Sequence, residues 1–282
     1  MNTLDAIILG IIQGITEFLP ISSTGHLTVA GKLMNLISLD NPEHWTAFIA
    51  VIQLGTLMAV IIYFWKDLLN IIIDFFNENL LQRKSFSSQN LNSKMGWFII
   101  IATIPVAVIG LAFRHQIEGV FTKNLYVIAA SLIILAVILA AAEKTGRFNR
   151  ELKNLKWYDA LIVGIAQAMA LIPGSSRSGT TITAGLFLGF NRETAARFSF
   201  LISIPAVAAS GLLEFYQSLK FLDKHGLINM AIGTIAAAIV GYATIGFLLR
   251  YLKTNTTFIF IIYRIVIGAL ILVLIAKGLI LP

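Results

Sequence analysis

Six apolar stretches, each long enough to cross a bilayer, leave this chain little choice of solvent. They cover residues 45–65, 97–113, 125–142, 198–219, 226–249 and 254–276. About 20 helical residues at roughly 1.5 Å each span a hydrocarbon core of about 30 Å. The composition agrees, with 57% hydrophobic and only 12% charged residues, against about 25% charged in soluble chains. That is too little polar surface to wrap a globule in water. The expected fold is an all-α polytopic membrane protein, a single integral domain over residues 1–282.

In a soluble protein the net charge of +7 would suggest a nucleic-acid partner. Here basic residues have a simpler use in cytoplasmic loops, so no nucleic acid is expected. Zero cysteines exclude a disulfide framework, thiolate metal sites and cysteine nucleophiles. The first four residues lack a basic region and the apolar run after them contains Asp5 and Glu17, unlike a cleavable signal.

Two further apolar regions are cut midway by turn-forming residues. Residues 4–19 stop at Pro20 and resume after Ser22, while residues 157–172 stop at Pro173 and Gly174 and resume around Ser178. Each half is short for a full crossing, so each region reads as a re-entrant helix-loop-helix hairpin that returns to the face it entered from. Broken backbone at membrane depth is tolerated only where protein or a water-filled cavity surrounds it.

With both hairpins re-entrant, the loops alternate between faces and their basic residues can be counted. One face holds thirteen: Lys66, Arg83, Lys84, Lys94, Lys144, Arg147, Arg150, Lys153, Lys156, Arg192, Arg197, Arg250 and Lys253. The other holds six: Lys32, Arg114, Lys123, Lys220, Lys224 and Lys277. The imbalance assigns the first face to the cytoplasm and both termini to the outside.

A shift of 154 residues superimposes the two broken regions without gaps. It pairs Asp5 with Asp159, Ala6 with Ala160, Gly10 with Gly164, Ile11 with Ile165, Gln13 with Gln167, Ser22 with Ser176, Gly25 with Gly179, Ala30 with Ala184 and Gly31 with Gly185. Each half, 1–147 and 148–282, then carries one hairpin and three spans. Three is odd, so the second half is expected upside down relative to the first. In such inverted repeats, broken helices meet near the midplane, and the chemistry is expected where they meet.

The first broken loop contains Gln13 and Glu17, four apart and therefore on one helix face. Glu17 is an ionisable group in an apolar segment, costly without a partner and functional by default. After Pro20, the run Ser22, Ser23, Thr24 and Gly25 reads as an N-cap followed by free backbone N–H groups that attract phosphate. His26 follows within the first turn and can act as base, acid or nucleophile.

The second loop, Gly174, Ser175, Ser176, Arg177, Ser178 through Thr181, has the residues of an anion site: a glycine for close approach, hydroxyls, and one guanidinium for a bidentate grip. Pairing of Arg177 with Glu17 is the structural alternative, and it would leave the hydroxyls unexplained. Glu17, Gln13 and substrate phosphate oxygens would suit Mg²⁺ or Ca²⁺. With one carboxylate, that ion would arrive with its substrate. Arg264, inside the last apolar stretch, is read as structural, pairing with Glu214 or with carbonyls at a broken helix.

At these loops the sequence resembles the undecaprenyl-diphosphate phosphatase family, also known as bacitracin-resistance proteins. The first family motif is matched by Gln13, Glu17 and the stretch from Pro20 to His26, and the second from Pro173 to Thr181. The resemblance implies hydrolysis of undecaprenyl diphosphate to undecaprenyl phosphate, recycling the lipid carrier of cell-wall synthesis. It also implies a bacterial plasma-membrane location, a divalent cation, an active site facing the outer side, and bacitracin resistance. Carried over residue by residue, it gives Glu17 and Gln13 acid/base or metal-binding roles and Arg177 phosphate binding. Ser23 and His26 become nucleophile candidates, with the choice between them open, as is a homodimer. Gln13 is the non-ionisable variant at its position, which weakens any role for it in proton transfer. The rival class is a lipid-phosphate transporter or flippase using the same loops without chemistry, for which His26 and its neighbouring hydroxyls would be superfluous.

Overall fold

The computed structural model describes residues 1–37, 42–113, 124–220 and 224–281. Within them the chain forms eleven α-helices and no strand. Six of these helices are long and apolar enough to cross a membrane. Arg114 and Lys123, two of the six loop cations assigned to the outer face, lie outside the described residues.

Helix α1 (Thr3–Thr16) and α2 (Ser23–Leu33) form the first broken region. The first span, α3 (Pro42–Tyr63), ends at Phe64. There the backbone turns into α4 (Trp65–Phe76), followed by a π-helical turn, Asn77–Leu81. The spans α5 (Leu91–Ala112) and α6 (Leu125–Thr145) come next. The second broken region is α7 (Trp157–Ala168), a 3₁₀ turn at Met169–Leu171 and α8 (Arg177–Phe187). Three spans complete the chain: α9 (Arg192–Ser218), α10 (Lys224–Leu252) and α11 (Phe258–Ala276).

Asparagine caps the start of three spans, α5, α6 and α9. Asn90 accepts from the Ser93 N–H at 2.8 Å and Asn191 from the Thr194 N–H at 2.8 Å, satisfying orphan donors of α5 and α9. Both helices therefore begin about six residues before their purely apolar stretch. Polar first turns continue the helix where water and ion pairs still reach them. Pro105 and Pro205 sit inside α5 and α9, as neighbouring membrane helices allow.

Helix α4 is absent from the sequence expectation, which treats residues 66–96 as loop. Its Lys66, Asp67 and Asp74 interrupt the apolar run. At helical spacing, however, Trp65, Leu69, Ile72, Ile73 and Phe76 remain exposed while Ile71 is buried.

Packing is organised around close backbone approaches. Helix α10 lies along α1 and α3, α5 along α7, and α6 along α11. A Cβ on Gly10 would sit 2.4 Å from the Gly233 carbonyl oxygen, and one on Gly164 would sit 2.6 Å from that of Ala102. These two short helices can lie against α10 and α5 only with glycine there.

Candidate active site

Each broken region turns at a serine in an uncommon conformation. Ser22 has φ 75° and its Oγ accepts from the Gly25 N–H at 3.2 Å, capping α2. Ser176 has φ 67° and accepts from the Gly179 N–H at 3.1 Å, capping α8. Positive φ is rare outside glycine, and here it recurs at two positions related by the 154-residue shift. Gly174 has φ 84°, and a Cβ there would lie 2.6 Å from the Ile128 carbonyl oxygen. Only glycine fits that corner.

The two turns meet at Glu17, the first residue after α1. Its Oε1 accepts from Arg177 Nη2 at 2.6 Å. Its Oε2 accepts from Ser23 Oγ at 2.7 Å and from Gln13 Nε2 at 2.9 Å. Side-chain exposure is only 6% for Glu17 and 13% for Arg177, so this is a buried ion pair bridging the two loops. The pairing that the sequence offered as the structural alternative for Arg177 is therefore present. It leaves Arg177 Nη1, Ser175 Oγ and Gln13 Oε1 buried without a hydrogen-bond partner. Buried polar atoms are seldom left so, and three of them at one junction make a place for a polar ligand.

The remaining hydroxyls have internal duties. Ser178 donates to the Leu19 carbonyl at 3.0 Å, tying the second loop to the first. Thr181 donates to the Arg177 carbonyl at 2.7 Å and lies 2.6 Å from Ser199 Oγ. Thr24 is half-buried in the first turn of α2.

His26 has both ring nitrogens engaged. Nδ1 lies 2.7 Å from the Ser22 carbonyl oxygen, which can only accept, so Nδ1 carries the proton. In the neutral ring Nε2 is then an acceptor, and the Tyr263 hydroxyl donates to it at 2.7 Å. The two rings also stack, with centroids 5.5 Å apart and an interplanar angle of 10°. Ser23 faces the carboxylate, and His26 faces α11.

Arg264 follows Tyr263 and is 1% exposed. Its guanidinium donates to the carbonyls of Pro20 at 3.2 Å, Ser175 at 3.1 Å, Leu132 at 3.2 Å and Ser131 at 3.3 Å. A fifth, weaker contact reaches the Gly174 carbonyl at 3.4 Å. Carbonyls at the broken helices are among its expected partners, and it holds those of Pro20, Gly174 and Ser175 together with two from α6. Sequence reasoning missed Tyr263 altogether. Its only signal was its place beside an arginine buried in an apolar helix.

No cluster of three His, Asp or Glu residues occurs among the described residues. A cation here would have Glu17 and the unpartnered Gln13 Oε1 as protein oxygens, too few for a cage but enough for an ion that brings phosphate oxygens with it.

Residues 6–270 match the family of the bacitracin resistance protein BacA. The chain belongs to that family. Relatives in the same family carry the name undecaprenyl-diphosphatase. The one from Syntrophobacter fumaroxidans is 56% identical over 96% of this chain and 97% of its own length. That from Chlorobaculum tepidum is 49% identical over the full length of both chains, 100% in each case. That from Myxococcus xanthus is 45% identical over 99% of this chain and 91% of its own. Both broken loops fall inside the matched span.

Proposed function

We infer that the chain is a membrane-embedded phosphatase that hydrolyses undecaprenyl diphosphate to undecaprenyl phosphate and inorganic phosphate, returning the lipid carrier to cell-wall synthesis. Family membership and the relatives' name support the activity, and the family name ties it to bacitracin resistance. The observation that carries the chemistry is the chain Ser23–Glu17–Arg177 with an unpartnered Nη1 at its end.

Ser23 Oγ is the nucleophile in this reading. Arg177 moves from Glu17 onto the terminal phosphate as the diphosphate enters, and the freed carboxylate takes the serine proton. The Oγ–P bond forms, the bridging P–O bond breaks, and undecaprenyl phosphate leaves. Water then attacks the phosphoserine, Ser23 recovers its proton from Glu17, and inorganic phosphate departs with the water oxygen. Ser175 and the first-turn hydroxyl of Thr24 line the phosphate position, while Ser22, Ser176, Ser178, Thr181 and Gly174 hold the loops in shape. His26, with both nitrogens engaged, orients the first turn of α2. Glu17 and Gln13 would hold Mg²⁺ or Ca²⁺ together with phosphate oxygens. When bound, the ion would neutralise charge on the transferred group.

The inverted-repeat reading belongs to the same proposal, with both broken regions re-entrant. Exchange of the halves maps α1 on α10 to α7 on α5, the Gly10 approach to the Gly164 approach, and the Ser22 cap to the Ser176 cap. The loop-charge imbalance supports a plasma-membrane orientation with the active site reached from the outer side.

The test is inorganic phosphate release from a long-chain polyprenyl diphosphate by detergent-purified protein, with and without EDTA. Release that EDTA abolishes, and that Ser23→Ala loses while still binding lipid, is the expected result. A folded wild-type protein that binds the lipid and releases no phosphate would overturn the reading in favour of a carrier.

A further inference from the structure

Away from the two loops, a cavity of about 260 Å³ opens between the end of α3, the start of α9 and the end of α10. Tyr63, Glu193, Arg197, Gly246, Arg250 and Lys253 line it. Three cations against one carboxylate line it, and with Asp67 paired to Arg197 one positive charge is left over, at Arg250. Lys253 Nζ lies 3.6 Å from Glu193, beyond hydrogen-bond reach. Arg197 Nη2 donates to Asp67 at 2.8 Å, but its Nε is buried with no acceptor. Arg250 has neither ion pair nor hydrogen bond from its side chain among the described residues.

The cavity is separate from the phosphate junction. The Arg197 guanidinium lies 5.5 Å from the Phe64 ring centroid. Phe64 packs on Phe200 at 6.4 Å and Phe200 on Phe18 at 5.1 Å, next to Glu17. Three phenyl rings therefore stand between the two places.

Its depth says what kind of anion it meets. Helix α10 is a candidate span over Lys224–Leu252, so its last turns, with Gly246 and Arg250 in them and Lys253 just beyond, belong at the membrane–water boundary. Phe247, beside Gly246, is an apolar ring that is 56% exposed. Basic pockets between membrane helices at that level recognise lipid headgroups. We propose that this cavity binds the phosphate of an anionic phospholipid headgroup in the leaflet on the cation-rich face, with Arg250 and Arg197 Nε as its donors and Tyr63 at its wall.

Gly246 provides a means of closing it. A Cβ there would meet nothing closer than the Tyr63 ring at 3.6 Å, so a leucine side chain fits the backbone and occupies the cavity. The experiment titrates the detergent-purified full chain with phosphatidylglycerol and counts retained lipid by native mass spectrometry, with inorganic phosphate as competitor. Wild type should retain one lipid at this site. Arg250→Ala should weaken retention by about tenfold, as expected for loss of a charge-assisted hydrogen bond, and Gly246→Leu should abolish it. Phosphate release from polyprenyl diphosphate should stay within about twofold of wild type in Arg250→Ala, which lies outside the catalytic junction. Equal retention by wild type and Arg250→Ala would overturn the proposal. So would no retention at all, or displacement by inorganic phosphate at equal concentration, which would make the free anion the ligand.

Discussion

Replacing Arg177 by alanine removes the proposed phosphate ligand and unpairs a buried carboxylate, two effects that can be measured apart. The pair is 2.6 Å long, with side-chain exposures of 13% and 6%. Deleting one partner of a buried ion pair costs about 3–5 kcal/mol, because the other charge is left without compensation. The catalytic loss is separate. An arginine that stabilises a transferred phosphoryl group is worth roughly 10³–10⁵ in rate, at least about 4 kcal/mol of barrier. Arg177→Ala should therefore both unfold more easily and lose turnover. Adding Glu17→Gln to it replaces the stranded charge with a neutral amide of the same shape and should restore most of the stability with none of the activity. The assay is thermal unfolding in detergent beside phosphate release, for both single variants and the double. Turnover within about tenfold of wild type in Arg177→Ala would refute the phosphate role. Unchanged stability in that variant, or no recovery in the double, would refute the buried-pair argument.

The other expectations rest on different contacts. Ser23→Ala should lower turnover by about 10³ or more while lipid binding persists; turnover near wild type would remove Ser23 as nucleophile. Tyr263→Phe keeps the stacked ring and deletes only the 2.7 Å bond to His26, so kcat should fall about tenfold with KM little changed; a variant indistinguishable from wild type would show that the bond positions nothing. Gly174→Ala introduces a side chain at φ 84° and 2.6 Å from a carbonyl oxygen, and should destabilise by about 2 kcal/mol or more in thermal unfolding. Outside the spans, the Lys84 ammonium and then the Asn90 N–H hold the Glu78 carboxyl below its ordinary value of 4.5. A depressed carboxyl stabilises the fold above its unfolded value and loses that contribution as pH falls through the lower folded value. Hydrogen-exchange protection across residues 78–90, taken relative to the intrinsic exchange rate at each pH, should therefore fall as the pH is taken below 4.5 and stay high near neutrality.

The spans and the two broken regions were legible because a bilayer makes them one-dimensional problems. Every backbone group in hydrocarbon must be satisfied within its own helix, so length, apolarity and the positions of Pro20, Pro173 and Gly174 already specify the elements. The cap at Ser22 is a local pattern of the same kind. Amphipathic α4 escaped because its charges interrupt an apolar run without ending a helix.

At the site, the sequence by itself singled out Glu17 and Arg177, since an ionisable group in an apolar segment stands out wherever it lies. Only the tertiary structure decided their partners. Glu17 and Arg177 are 160 positions apart, and His26 meets Tyr263 across 237. No local rule links such pairs, because they are brought together by helices that pack through small residues and by Arg264 gripping carbonyls of both loops. The physical reason is that hydrogen-bond satisfaction in the membrane acts along a segment, whereas the pairing of buried charges acts across whichever segments the packing makes neighbours.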